Sequence, residues 1–263
     1  MKKKSFEKPE LSVEDLSHAL YEANLKLTKT IEERDEIFAN ISHDLRSPIT
    51  AIRSSVEYIQ SLDHPTEDDL NSAIKLIDTR SQVLQKMVND IFLLTKIDSS
   101  SYNLNFVSVP AIPFLEDTFY TYDAEPEFSQ RELILDVNSD LSGSINIDIE
   151  NIKRVLDNLF NNALKFTGPD DKIILSAGLN SDNDKILITV SDTGIGIEKD
   201  KLPLVFNRTY RISDARTPNN NPGAGLGLSI CRSIIEKHNG SIWCTSEGKG
   251  HGTSFTFELN YEK

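Results

Sequence analysis

A helical hairpin followed by an α/β sandwich is the fold class this sequence predicts, and three observations carry it. Within the first hundred positions, apolar residues recur at helical spacing in two runs, parted by the breaker cluster Ser61-Leu-Asp-His-Pro65. From about residue 105 onward, strand-like apolar segments are interleaved with helical ones. A lone hairpin would also leave half of its apolar seam in water, so a twofold partner that completes a four-helix bundle is expected.

The first helical run shows Leu16, Leu20, Ala23, Leu27, Ile37 and Ile41 near a 3.5-residue period, a coiled-coil lead-in. It continues through Leu45, Ile49, Ile52, Val56 and Ile59 with Pro48 inside it. Proline lacks the N–H that a helix interior needs, so a bend is expected there. Thr66-Glu-Asp-Asp69 reads as the cap of a second helix. In that helix Leu70, Ile77, Leu84 and Ile91 stand a heptad apart, with Ile74, Met87 and Leu94 between them, as far as about Ile97. The polar run Asp98-Ser-Ser-Ser-Tyr-Asn103 reads as a hinge. The expected organisation is a leader over residues 1–34, a hairpin over 35–98, a linker over 99–107 and a second domain over 108–263. In that domain the patterns predict strands at Leu133–Val137, Lys172–Leu179, Lys185–Ser191, Ser241–Ser246 and Thr253–Leu259. Helices are predicted at Phe114–Tyr122, Ile149–Phe166 and Leu226–His238, on one face of a mixed sheet.

Composition narrows the function. The 263 residues carry 41 acidic against 28 basic side chains, a formal net charge of −13, which argues against a nucleic-acid binder because a phosphate backbone demands a basic face. Cys231 and Cys244 have no companion metal-ligand spacing and read as ordinary thiols in a reducing compartment. The basic start Met1-Lys-Lys-Lys lacks the apolar stretch of a signal peptide, and no run approaches the ~18 apolar residues of a membrane span. The chain as given thus reads as cytoplasmic, with room for an upstream sensor domain or a membrane anchor in a longer protein.

Three segments of the second domain carry chemistry. In Asp157-Asn-Leu-Phe-Asn-Asn-Ala-Leu-Lys-Phe166, the side chains of Asn158, Asn162 and Lys165 or Phe166 share one helix face. Amide oxygens suit Mg²⁺ and a lysine suits phosphate; a solvated polar face is the plainer alternative. Ile186 to Ile197 is a buried strand ending in Asp192-Thr-Gly-Ile-Gly196. Its carboxylate can accept a hydrogen bond from an exocyclic amine while Gly194 and Gly196 let a flat base approach the backbone; a simple strand exit is the alternative. Asp-Thr-Gly is also the acid motif of aspartic proteases, but no second copy exists in this chain. Finally, Asn219 to Ile230 places Gly223, Gly225 and Gly227 just before an apolar helix, which offers backbone N–H groups to an anion. The polar stretch before it, Arg211 to Pro222, reads as a lid over a ligand.

Taken in order, these segments resemble the boxes of the ATP-binding domain of sensor histidine kinases, in the superfamily that also holds DNA gyrase and the Hsp90 chaperones. Asn158 and Asn162 match the N box, Asp192 to Gly196 the first glycine box, Phe206 to Arg211 the F box and Gly223 to Gly227 the second glycine box. His43-Asp-Leu-Arg-Ser-Pro48 is similar to the phosphoacceptor box of the same kinases. The resemblance covers residues 35–260 and implies an ATP-binding domain of the Bergerat type on a dimeric hairpin. It implies ATP and Mg²⁺ as cofactors, with Asn162 as the metal ligand, Asn158 its neighbour, Lys165 a phosphate contact and Phe166 a wall of the pocket. By the same resemblance Asp192 reads adenine, Arg211 meets the γ-phosphate, and Gly223, Gly225, Leu226 and Gly227 wrap the phosphates. His43 would be phosphorylated with Asp44 orienting its proton, and the phosphoryl would pass to an aspartate of a response regulator receiver domain docked near Arg53, Ser54 and Glu57.

Two departures stand out. Thr209 replaces a second aromatic of the F box, and Ser47 occupies the position where phosphatase-competent members carry Thr or Asn. The rival readings are a conformational ATPase of the same superfamily and a nucleotide-binding dimer that transfers no phosphoryl group. Either would leave His43-Asp44 without a task.

Overall fold

The structure, a computed structural model, describes residues 13–97, 99, 102–138, 141–208, 210 and 225–263. The chain divides into two compact units, residues 1–43 and 44–263. The described part of the first unit belongs to helix α1 (Val13–Ser61), on which Leu16, Leu20 and Leu27 of the coiled-coil lead-in are exposed. Pro48 does not interrupt this helix. The carbonyl deprived of its helical donor by Pro48 is that of Asp44, four residues earlier.

In the second unit, α1 turns at residues 62–66 into α2 (Glu67–Ile97). Thr66 and Asp69 form the reciprocal cap that the sequence predicts: the Asp69 N–H donates to Thr66 Oγ1 at 3.2 Å, and the Thr66 N–H to Asp69 Oδ2 at 3.0 Å. The heptad seam of α2 is buried unevenly. Leu70 and Ile74 are 39% and 62% exposed, whereas Met87, Leu93, Leu94 and Ile97 are buried together with Ala73 and Asp90. The lower half of α2 packs against a helix of the following domain, and its buried stripe is therefore not the heptad line alone.

Among the described residues, that domain is a mixed sheet with three α-helices and two short 3₁₀ turns. Its strands are β1 (Val107–Pro110), β2 (Glu132–Val137), β3 (Ser144–Ile147), β4 (Lys172–Leu179), β5 (Lys185–Asp192), β6 (Ile242–Thr245) and β7 (Thr253–Glu262). They lie in the order β1-β3-β7-β5-β4-β2, with β6 also on β7. Only β2 and β4 run parallel. The sequence patterns miss β1 and β3, four residues each, although β6, of the same length, is among the strands predicted. The helices are α3 (Ala111–Asp123), α4 (Ile149–Phe166) and α5 (Gly227–Lys237).

Alternation decides which sheet face they cover. Ile186, Ile188 and Val190 of β5 are buried opposite Leu259, Phe257 and Phe255 of β7. The intervening positions pair hydroxyls, Thr189 with Thr256 at 2.9 Å and Ser191 with Ser254 at 2.8 Å. One face is thus apolar and the other polar, as expected of a sheet covered on one side. Against the apolar face α4 buries Ile152, Val155, Leu156, Leu159, Phe160 and Ala163. Phe160 stacks on Tyr122 of α3 with ring centroids 4.1 Å apart.

Asp148 caps α4, accepting from the N–H of Asn151 at 3.1 Å and from that of Asn105 at 2.9 Å. The described part of the expected linker is held as well. The Tyr102 hydroxyl pairs with the Asn151 side chain, and Lys237 Nζ donates to the carbonyls of Ser99 and Tyr102 at 3.3 and 3.5 Å. Beside them lies His238, buried, with its Nδ1–H donating to the Ile234 carbonyl at 2.8 Å and Nε2 accepting from the Asp148 N–H at 3.0 Å. Both nitrogens are committed, so His238 is a structural histidine.

Candidate nucleotide site and phosphoacceptor helix

Helical spacing and one buried strand end bring the second-domain candidates together. Asn158, Asn162 and Phe166 lie on successive turns of α4, all half-buried. Asn158 Nδ2 donates to the Arg154 carbonyl at 2.9 Å, which leaves its amide oxygen facing the start of α5: a Cβ built on Gly227 would stand 2.6 Å from that oxygen. Leu226 is buried as the N-cap residue, Gly225 takes a positive φ of 65° in the turn before it, and no side chain caps α5. Among the described residues no side chain meets the first N–H groups of α5, which stand next to the Asn158 amide.

At the other end of α4, Lys165 Nζ stands 5.3 Å from the Phe166 ring centroid. The Phe166 carbonyl accepts the Ile195 N–H at 3.1 Å. This contact requires glycine next door: a Cβ on Gly194 would lie 2.1 Å from that carbonyl oxygen. Gly196 is similarly confined, with φ 69° and the Gly248 carbonyl 2.1 Å from where its Cβ would be.

Asp192 ends β5, and its Oδ1 accepts the Gly194 N–H at 2.9 Å. Burial pushes its carboxyl up to about 6, opposed by hydrogen bonds from the backbones of Gly194 and Thr253 and reinforced by the nearby negative charge of Asp171. A half-buried carboxylate offers about four lone-pair sites, more than its two backbone donors use, and so is suited to accept from an amine of a ligand as well.

The glycine loop after β6 is a part of this site that the sequence reading passes over. Gly250 donates its N–H to the Ile195 carbonyl at 2.7 Å and Gly252 to the Gly194 carbonyl at 3.1 Å. The signal was present as Gly248-Lys-Gly-His-Gly252, three alternating glycines just before a strand. Arg211, Gly223 and Thr209 lie outside the described residues, as does the stretch read as a lid.

On α1, His43 is exposed, Asp44 is buried at 8% exposure and Ser47 is exposed. Histidine and acid are thus consecutive, with the histidine facing water and the acid turned inward.

Residues 33–100 match the family model of the His Kinase A (phospho-acceptor) domain, and residues 147–263 match that of the histidine kinase-, DNA gyrase B- and HSP90-like ATPases. The chain belongs to the sensor histidine kinases. This kinase core is 34% identical over 236 residues to the sensor histidine kinase WalK of Bacillus subtilis (strain 168), covering 89% of this chain and 38% of WalK. It is 32% identical over 260 residues to the adaptive-response sensory kinase SasA of Synechococcus elongatus, 96% of this chain and 66% of that protein. It therefore spans from about two fifths to just under two thirds of these curated relatives. Among solved structures, the histidine kinase AdeS of Acinetobacter baumannii shares the fold at TM-score 0.62 and 22% identity, over 84% of this chain and 98% of that one. So does the histidine kinase ThkA in its complex with the response regulator protein TrrA, at TM-score 0.68 and 24% identity, over 91% of this chain and 65% of that one. Among the described residues, no helix of the kinase core is long and apolar enough to cross a membrane.

Proposed function

We propose that the kinase core, as a homodimer through its hairpin, phosphorylates His43 with ATP and passes the phosphoryl group to an aspartate of a response regulator receiver domain. The observation that carries this reading is the pairing on one chain of an exposed histidine followed by a buried acid, His43-Asp44, with a domain that sets Asn158 against Gly227 and Asp192 against Gly194. Family membership supports the coarse assignment of ATP binding. The complex of ThkA with a response regulator supports the partner class.

In this reading, neutral His43 attacks the γ-phosphorus with one ring nitrogen. A P–N bond forms, the β–γ phosphoanhydride breaks and ADP leaves. The proton on the other nitrogen is held or taken by Asp44. Asp192 accepts from the adenine amine, Phe166 walls the ring, and Lys165, the N-terminus of α5 and Arg211 meet the phosphates.

Magnesium fits through an amide oxygen. Asn162 Oδ1 is a hard neutral donor, and among the described residues no cluster of three His, Cys, Asp or Glu offers a separate metal site. The ion would come in with the nucleotide, held by Asn162, and would neutralise charge on the transferring phosphoryl group. Ser47 keeps a hydroxyl that could position a water for dephosphorylation, and the regulator docks on the face that includes Arg53, Ser54 and Glu57.

Incubation with γ-labelled ATP and Mg²⁺ tests the proposal. Acid-labile, base-stable label on the parent chain, absent from His43→Ala and Asn162→Ala, is the expected result. Label that persists in His43→Ala, or a parent that takes none, would overturn it.

A further inference from the structure

The loop after β6 is fastened to the 194–197 loop by one internal side chain. Ser246 Oγ accepts the Ile197 N–H at 3.0 Å and the Gly248 N–H at 3.3 Å, and donates to the Gly252 carbonyl at 2.7 Å. Around it, backbone meets backbone without room for a side chain: the oxygen of Ser246 would lie 3.2 Å from a Cβ on Gly196. The glycine pairs Gly250 with Ile195 and Gly252 with Gly194 complete the joint. A second side-chain tie, Lys249 Nζ to Glu198 Oε1 at 2.8 Å, lies at the surface, where an ion pair contributes little.

From this geometry we infer that Ser246 is a positioning residue of the nucleotide site, its hydroxyl fixing the 194–197 loop and thereby the edge that reads the base. The inference rests on the nucleotide reading above and adds a determinant of base selectivity to it. The route is short. Gly194, whose N–H holds Asp192 Oδ1, is the third residue before Ile197, and its carbonyl is held by Gly252. Without the hydroxyl, two N–H groups and one carbonyl lose their shared partner, the joint loosens, and the Gly194 N–H no longer aims the carboxylate. The phosphate end of the pocket, at Asn158 and the start of α5, is built from other elements and does not depend on this joint.

That division gives a readout which simple destabilisation would not produce. Calorimetric titration of the full chain with Mg²⁺ and a non-hydrolysable triphosphate compares the adenine form with the hypoxanthine form, which has a carbonyl in place of the amine. The parent is expected to favour adenine. Ser246→Ala is expected to lose about tenfold in affinity for the adenine form, on the scale of one hydrogen bond to a charged group, and about twofold or less for the hypoxanthine form. Lys249→Ala is expected to leave both unchanged. If Ser246→Ala does not fold, Ser246→Cys keeps the shape, weakens the bonds and is read the same way. An adenine preference equal to the parent's in the variant that folds overturns this inference alone. A parent that binds neither form overturns the nucleotide reading and this inference with it.

Discussion

At the residue scale, Asp192 holds the most chemical information. Its carboxyl sits near 6 because burial disfavours its charge. In the free site the group is therefore mostly protonated below that pH and mostly a carboxylate above it. A ligand amine bonds best to the carboxylate, so protons compete with the ligand. Nucleotide affinity is expected to fall as pH drops from 7 through about 6, approaching tenfold per pH unit below it. Titration of a fluorescent ATP analogue between pH 5 and 8 measures this. Asp192→Asn, which has no proton to exchange, should bind more weakly at pH 8 and show no inflection near 6. Persistence of the inflection in that variant would assign it to another group.

At the element scale, α4 and its surroundings show what a sequence can and cannot disclose. The predicted limits of α4, Ile149 and Phe166, are those observed, because its apolar face repeats over five turns and Asp148 supplies a cap. The strands β4, β5 and β7 were equally legible, since burial on one face writes a two-residue alternation into the chain. By contrast β1 and β3 were not, and neither was the joint at Ser246, whose partners are backbone groups brought together from distant segments. In the site, Asn158, Asp192, Gly194 and Gly227 could be picked out because glycine and asparagine are chemically conspicuous there. A buried histidine gives no such hint, and His238 passed as the end of a helix. Its burial lowers the ring's affinity for a proton, opposed by its bond to the Ile234 carbonyl and by the charge of Asp148. The sign follows from linkage. The unfolded ring, at 6.5, binds a proton more readily than the folded one, so the stability conferred by neutral His238 is complete above about 6.5 and is lost as pH falls from there toward the lower folded value. Urea unfolding at pH 7.5 and 5.5 isolates this contribution by difference: the change in midpoint from 7.5 to 5.5 should be more favourable in His238→Phe than in the parent, the Asp192 carboxyl, raised to about 6, contributing with the opposite sign in both. Asp148 also has a lowered carboxyl, but its contribution to stability is lost only as pH falls from the unfolded value of 3.8 toward the lower folded one, and does not overlap this window.

At the scale of the whole molecule, two interfaces can be tested. Asp90 of α2 is buried and bonded to Arg154 Nη2 at 2.5 Å, a pair on α2 and α4 that borders a cleft lined also by Lys86, Asn89 and Asn158. Asp90→Ala leaves Arg154 without its carboxylate. The arginine side chain is 31% exposed and can turn toward water, so the cost should be about 2 kcal/mol, below that of a fully enclosed pair. A double-mutant cycle with Arg154→Ala, read by urea unfolding, isolates it. The other interface is the hairpin seam. Ile74 is 62% exposed and Phe92 61%, apolar area that a twofold partner would cover. Ile74→Glu is expected to shift the chain from dimer to monomer in light scattering, and a dimer of unchanged affinity would place the interface elsewhere. The fastening of Tyr102 to Asn151 and to Lys237 bears on how far the two halves can part. Between Ile97, where α2 ends, and Tyr102 stand four residues, a stretch that reaches roughly 17 Å when fully drawn out. The catalytic half is thus moored on a short line, with the rest of the rope made fast along its own flank. Any swing wider than that line first has to cast off Ser99 and then Tyr102 from the Lys237 ammonium, so the radius of the swing is set by a phenol and an ammonium at the end of α5.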